Sequence, residues 1–245
     1  MTSPDYGPRA RVGVAVPQAN PTVEPEMRAL LPDEIGVYAT RLVHPAPRVE
    51  DRLLHYVTHI PDSIASYGPL RLAAFGFGCT GSSYIVGSKK EDELTAAAAH
   101  ERQMPVVTAA QAIRQALTGM GAARIALVSP YPEALAESGY TYWRSAGIEV
   151  AHTLRVDERL ADTHNIYELT SQDALTAVQN VRTDAVDCIV VSGTGMPTLA
   201  ALRQSAATMA LPVISSNLCL AWALLGRAAP ELAPTLPIGL ITSKP

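Results

Sequence analysis

The chain predicts an α/β protein of two pseudo-symmetric halves, each a parallel sheet flanked by helices, with the active site in the cleft between them. Three observations lead there. The same three loops occur twice, at an offset of about 110 residues. Short β-branched runs alternate with alanine-rich amphipathic stretches, the pattern of parallel strands covered by helices. The repeated loops, rich in glycine and hydroxyl residues, follow the apolar runs directly, where open parallel sheets bind their ligands.

In chain order, Val12 to Val16 reads as the first strand and runs into the loop opened by Pro17. The apolar run from Leu72 leads into Gly76-Phe-Gly78-Cys79-Thr80-Gly81-Ser82-Ser83. Met104 to Thr108 is a further strand, and Ala109 to Met120 is a helix closed by Gly119 and Gly121. The second copy repeats this order: Ile125 to Val128 before Ser129-Pro130-Tyr131, Ile189 to Val191 before Ser192-Gly193-Thr194-Gly195, then Leu211 to Asn217. Glu133 to Ala146 and Thr198 to Met209 are helical in pattern; Gly147 ends the first of these, and Ser171 is placed to cap another helix. The halves divide at residues 1–121 and 122–245, and the pattern allows the C-terminal segment to cross back to the first half.

Composition narrows the function. The 245 residues are 48% hydrophobic with a formal charge of −4 and no basic run, which argues against nucleic acid and anionic membrane as partners. The amino terminus has no basic stretch before an apolar one, and no apolar run approaches the ~20 residues of a membrane span. Three cysteines, an odd number in a chain this long, read as free thiols in a reducing compartment, so the expectation is a cytoplasmic protein. Oligomeric state, a homo-oligomer included, is left open.

The Cys79 loop suits oxyanion chemistry: glycines let backbone N–H groups approach a ligand, hydroxyls add donors, and a helix start would depress the thiol pKa. The bland reading is a buried small filler. Gly76-x-Gly78-x-x-Gly81 also spells a dinucleotide fingerprint, but the acidic residue expected about twenty positions on is misplaced, since Glu101 precedes the next strand. Cys188 and Cys219 read as core residues. His55 and His59 have helical spacing without a third ligand, so no metal is expected; His44 reads as a loop residue near the cleft. Lys89-Lys90 before Glu91-Asp92-Glu93 reads as a solvated helix start. Arg41, Arg48 and Arg52 are candidates to orient an acidic substrate, and spacing does not choose among them.

These residues resemble the arylmalonate decarboxylases and maleate cis-trans isomerases of the aspartate/glutamate racemase superfamily, over nearly the whole chain. Val16-Pro17-Gln-Ala-Asn20 looks like the first loop of the isomerases, which implies a carboxylate contact for Asn20. Cys79-Thr80 stands at the first catalytic position, Ser129-Pro130-Tyr131 matches a carboxylate-binding motif, Ser192 to Pro197 matches the second catalytic loop, and Asn165 matches a further isomerase ligand. The departure is Gly193, where the superfamily generally has a second cysteine. Arylmalonate decarboxylases use one cysteine, usually in the second loop, so this chain has the mirror arrangement.

The expectation is therefore a cofactor-independent decarboxylase of a substituted malonate. Thr80, Ser82, Ser83, Tyr131, Gly193, Thr194 and Gly195 would hold the carboxylate of an enediolate that Cys79 protonates. One alternative is a maleate-type isomerase with Cys79 as nucleophile, in which the diacid is also held by Asn20 and Asn165. The other is a protein that only binds a small mono- or dicarboxylate.

Overall fold

The structure, a computed structural model, describes residues 4–159 and 162–242. The amino-terminal reading above falls partly on residues 1–3, and the end of the C-terminal segment falls on 243–245; both stretches lie outside the described residues.

The first half comprises β1 (Ala10–Pro17), α1 (Val23–Leu30), β2 (Ile35–Leu42), α2 (Val49–Thr58), α3 (Ile60–Ala65), β3 (Ala74–Phe77), α4 (Thr80–Val86), α5 (Ser88–Arg102), β4 (Val106–Thr108) and α6 (Ala109–Met120). The second comprises β5 (Arg124–Ser129), α7 (Glu133–Ser145), β6 (Glu149–Arg155), α8 (Ser171–Asn180), β7 (Cys188–Val191), α9 (Leu199–Thr208), β8 (Val213–Ser215), α10 (Ser216–Ala228) and α11 (Gly239–Thr242). Two 3-10 turns, Thr163–Glu168 and Pro230–Leu232, complete the described elements.

Each half carries a four-stranded, all-parallel sheet, and the two orders are the same: β2-β1-β3-β4 and β6-β5-β7-β8. The central strands are covered on both faces, so they are continuously apolar: Val12, Val14, Ala15 and Val16 of β1 are all fully buried. Cys188 and Cys219 are also fully buried and act as core residues.

The helix termini follow local chemistry. Thr108 and Gln111 form a reciprocal capping box at the start of α6, and Gly121, at φ +67°, closes it. Gly119, expected to share that role, lies inside the helix. α8 is capped by Thr170 paired with Asp173, which displaces Ser171 into the first helical position. The solvated helix start expected at Lys89 to Glu93 is corrected in one residue. Glu91 is fully buried, accepting hydrogen bonds from the Thr108 and Tyr142 hydroxyls with Arg114 beside it, because α5 turns that residue against β4 and α7.

The chain does not simply fold one half and then the other. α10, which follows the last strand of the second sheet, packs on β1, β3 and β4 and against α6. Gly76 on β3 makes this approach possible. A β-carbon there would lie 2.9 Å from Leu224 Cδ1 and 3.2 Å from Leu220 Cδ1, both on α10.

Candidate active site

Between the halves lies a cavity of about 680 Å³. Much of its wall comes from the carboxyl ends of six strands: Pro17 to Asn20 at the end of β1, His44 to Pro47 after β2, Cys79 and Gly81 after β3, Tyr131 after β5, Thr163, His164, Ile166 and Tyr167 after β6, and Thr194 and Gly195 after β7. The pseudo-symmetry thus brings corresponding strand ends of both sheets to one space, where parallel sheets bind ligands.

Cys79 forms part of the floor, 5% exposed, at the position preceding the first residue of α4. Ser82, three residues on, donates its hydroxyl to the sulfur at 3.2 Å. The helix start was expected to depress the thiol pKa; the opposite holds. Burial pushes it above the usual thiol range, because desolvation of a thiolate outweighs the offsetting Ser82 hydroxyl and the Ser82 and Gly81 N–H groups. The resting group is a neutral thiol.

The opposing loop is shaped by its glycine. Gly193 has φ +87°, in the left-handed region that side chains avoid, and its β-carbon would lie 2.7 Å from Pro130 Cγ. The absence of a second thiol is therefore built into the backbone, because the space beside Gly193 is filled by the Pro130 ring.

Asn20, 2% exposed, is held by both ends of its amide. Its Oδ1 accepts from the Thr22 and Val23 N–H groups at 2.9 and 3.2 Å, and its Nδ2 donates to Thr194 Oγ1 at 3.3 Å. One Nδ2 hydrogen is left for a ligand. Thr194 spends its own hydroxyl hydrogen on the Gly78 carbonyl at 2.8 Å, so the side chain welds the two loops together and is not a donor to substrate. Tyr131, also at the cavity, has its ionisation pushed far above the usual phenol range by burial and stays a neutral hydroxyl.

Not all the expected site residues reach the cavity. Thr80 is fully buried and donates to Ser216 Oγ at 3.0 Å; Ser82 serves the Cys79 sulfur; Ser83 is fully buried within α4. Gly193 contributes backbone behind Tyr131 and Pro130. Asn165 is exposed and outside the cavity lining, although Thr163, His164, Ile166 and Tyr167 around it all line the cavity, because the 3-10 turn directs that one position outward.

Sequence reasoning missed Tyr56 and Tyr167 among the lining residues, and it did not choose among the arginines. Of the three candidate arginines, Arg41 braces the Asn20 carbonyl at 3.0 Å and pairs with Glu24, and Arg48 pairs with Glu50 and Asp51 at the surface. Arg52 alone lines the cavity, its Nη1 fixed by the Ala46 and Pro47 carbonyls at 3.0 and 2.9 Å. Tyr56, one helical turn further along α2, and Tyr167 join it. The i, i+4 spacing of Arg52 and Tyr56 was visible in the sequence, but not that this face of α2 looks into the cleft. His44 lines the cavity and stacks on His55, which stacks on His59, with ring centroids 4.0 and 3.8 Å apart. Among the described residues no group of three or more His, Cys, Asp or Glu is placed to hold a metal, and no helix is long and apolar enough to cross a membrane.

The second half is locked to the first just behind this site. Glu26 on α1 accepts the Thr198 and Leu199 N–H groups, at 2.5 and 2.8 Å, and the Asn217 side-chain amide at 2.8 Å. That amide also donates to the Thr194 carbonyl at 3.1 Å, so one buried carboxylate organises the start of α9 and the loop before it.

Comparison with known proteins agrees with this architecture. The family model described as arylmalonate decarboxylase matches residues 12–236. A maleate isomerase of Pseudomonas putida KT2440 is 26% identical over 241 residues, 93% of this chain and 94% of that protein. The solved maleate isomerase Iso of Pseudomonas putida S16, a cysteine-to-alanine variant with maleate, has a TM-score of 0.78 at 25% identity, covering 88% of this chain and 90% of that one. A cysteine-to-serine variant of the Nocardia farcinica maleate cis-trans isomerase, with a covalently bound succinylcysteine intermediate, shares the fold with a TM-score of 0.81 at 23% identity, covering 96% and 99%.

Proposed function

Given that the chain belongs to the arylmalonate decarboxylase family, we propose that it is a cysteine-dependent cis-trans isomerase of a conjugated dicarboxylic acid, with Cys79 as the nucleophile. The observation that carries this reading is a thiol lining a cavity whose walls carry hydrogen-bond donors from both halves, Asn20 and Arg52 from the first and Tyr131 from the second, groups able to hold a carboxylate. The relatives' names favour it as well, since four curated proteins similar to this chain are maleate isomerases.

One thiol is chemically sufficient. Cys79 gives its proton to solvent, the sulfur pair forms an S–C bond to one alkene carbon and the π pair moves into the carboxylate on the other, giving an enediolate. The former double bond is now single and rotates. The enediolate pair then re-forms the double bond and the S–C bond breaks, its pair returning to sulfur. The thiolate takes a proton back from solvent, and the trans diacid departs with no net proton uptake. The Nocardia variant, with a cysteine replaced by serine, still carries a covalent succinylcysteine. Carboxylate donors that tighten as the enediolate forms would lower the barrier.

A second reading, decarboxylation of a substituted malonate with Cys79 as proton donor, is favoured by one specific observation: burial keeps that thiol protonated. Proton NMR in deuterated buffer separates the two, offering maleate and methyl-phenylmalonate to the wild type and to Cys79→Ala. Cys79-dependent fumarate from maleate supports the isomerase. Cys79-dependent decarboxylation with one deuterium at the α-carbon replaces it with the second reading. Turnover that survives Cys79→Ala, or binding without turnover, overturns both.

A further inference from the structure

The cavity is larger than a four-carbon diacid needs; about 680 Å³ falls in the range of sites that enclose drug-sized ligands. Among its described lining residues Arg52 is the sole permanent charge, and no Asp or Glu lines it. None of the described carboxylates forms an ion pair with Arg52, although Asp162 is near enough to feel its charge. Two carbonyl acceptors hold one guanidinium nitrogen, which leaves the rest of that planar fork for an anion. Tyr56 and Tyr167 line the same cavity. Each interacts electrostatically with both Cys79 and Arg52, and neither hydroxyl has a hydrogen-bond partner among the described residues. Unpartnered phenols beside an unpaired guanidinium form a recognition surface that Asn20 and Tyr131 do not account for.

Resting on the isomerase reading above, we propose that the substrate is a conjugated diacid bearing a third anionic group, of which a propene-1,2,3-tricarboxylate is a small example, with the third carboxylate held by Arg52. In this arrangement Asn20 and Tyr131 face the two carboxylates conjugated to the reacting double bond, and Cys79 faces the bond itself. Arg52, with Tyr56 and Tyr167 alongside, selects the substituent. A fork-like cation of fixed orientation discriminates by the presence of the carboxylate and not by chain length.

The test uses saturated analogues, so that binding is read without turnover. Propane-1,2,3-tricarboxylate and succinate are titrated calorimetrically into the wild type, Arg52→Gln, Arg52→Lys and the surface control Arg48→Gln. All titrations share one buffer and one pH, so that the variants are compared at the same protonation of the ligands. The wild type is expected to prefer the tricarboxylate at least tenfold. Arg52→Gln should bring that ratio near one, Arg52→Lys should recover part of it, and Arg48→Gln should keep it. A ratio near one in the wild type, a preference that survives Arg52→Gln, or an equal loss in Arg48→Gln overturns the proposal. Failure of the isomerase reading registers separately, as an Arg52-dependent preference in a protein that leaves cis-propene-1,2,3-tricarboxylate unisomerised by NMR.

Discussion

Replacing Gly193 with alanine tests whether the missing second thiol is a structural constraint. Two separable penalties follow from the geometry. Placing a β-carbon at φ +87° costs about 1 to 2 kcal/mol, because the left-handed region crowds that carbon against the following carbonyl. The same atom would stand 2.7 Å from Pro130 Cγ, and the pyrrolidine ring has no flexible end to swing away, so overpacking adds about 1 to 3 kcal/mol. The expected loss is about 2 to 5 kcal/mol, read as a lower urea midpoint at unchanged m value. Pro130→Ala removes the ring but leaves the φ cost. In that background Gly193→Ala should lose only about 1 to 2 kcal/mol, a coupling of about 1 to 3 kcal/mol between the two sites. A loss below about 1 kcal/mol for Gly193→Ala, or no coupling to Pro130, would refute the reasoning. It would also mean that a second cysteine could be accommodated at 193 without rearranging the loop.

Two further outcomes are expected. If Cys79 is the nucleophile it reacts as thiolate; burial raises its pKa, so the isomerisation rate should still be climbing above neutral pH, through the ordinary thiol range. A decarboxylase that uses the protonated thiol as donor would instead hold its rate through that range and lose it only as pH passes the raised pKa, so initial rates across pH distinguish the roles. Glu26→Ala removes the acceptor of the Thr198 and Leu199 N–H groups and of the Asn217 amide, and should cost about 2 to 4 kcal/mol in urea denaturation; a loss under about 1 kcal/mol would show that water replaces the carboxylate.

Much of this molecule was determined by local sequence. The apolar runs and their following loops predicted parallel sheets because β-branched stretches covered on both faces leave a continuous hydrophobic trace. The duplicated loops predicted two halves, and the helix over Ala109–Met120 was legible down to its closing Gly121. The loop around Cys79 stood out because three glycines and three hydroxyls after an apolar strand have few purely structural uses. Tertiary structure decided the rest, since which side of a loop faces the cleft depends on how two sheets more than a hundred residues apart in sequence dock. Docking buried Glu91, turned Asn165 outward, assigned the Thr194 hydroxyl to the Gly78 carbonyl and brought Arg52 to the cavity wall. It also reversed the expected shift of Cys79, because a helix start is a local feature whereas desolvation depends on everything packed around the sulfur.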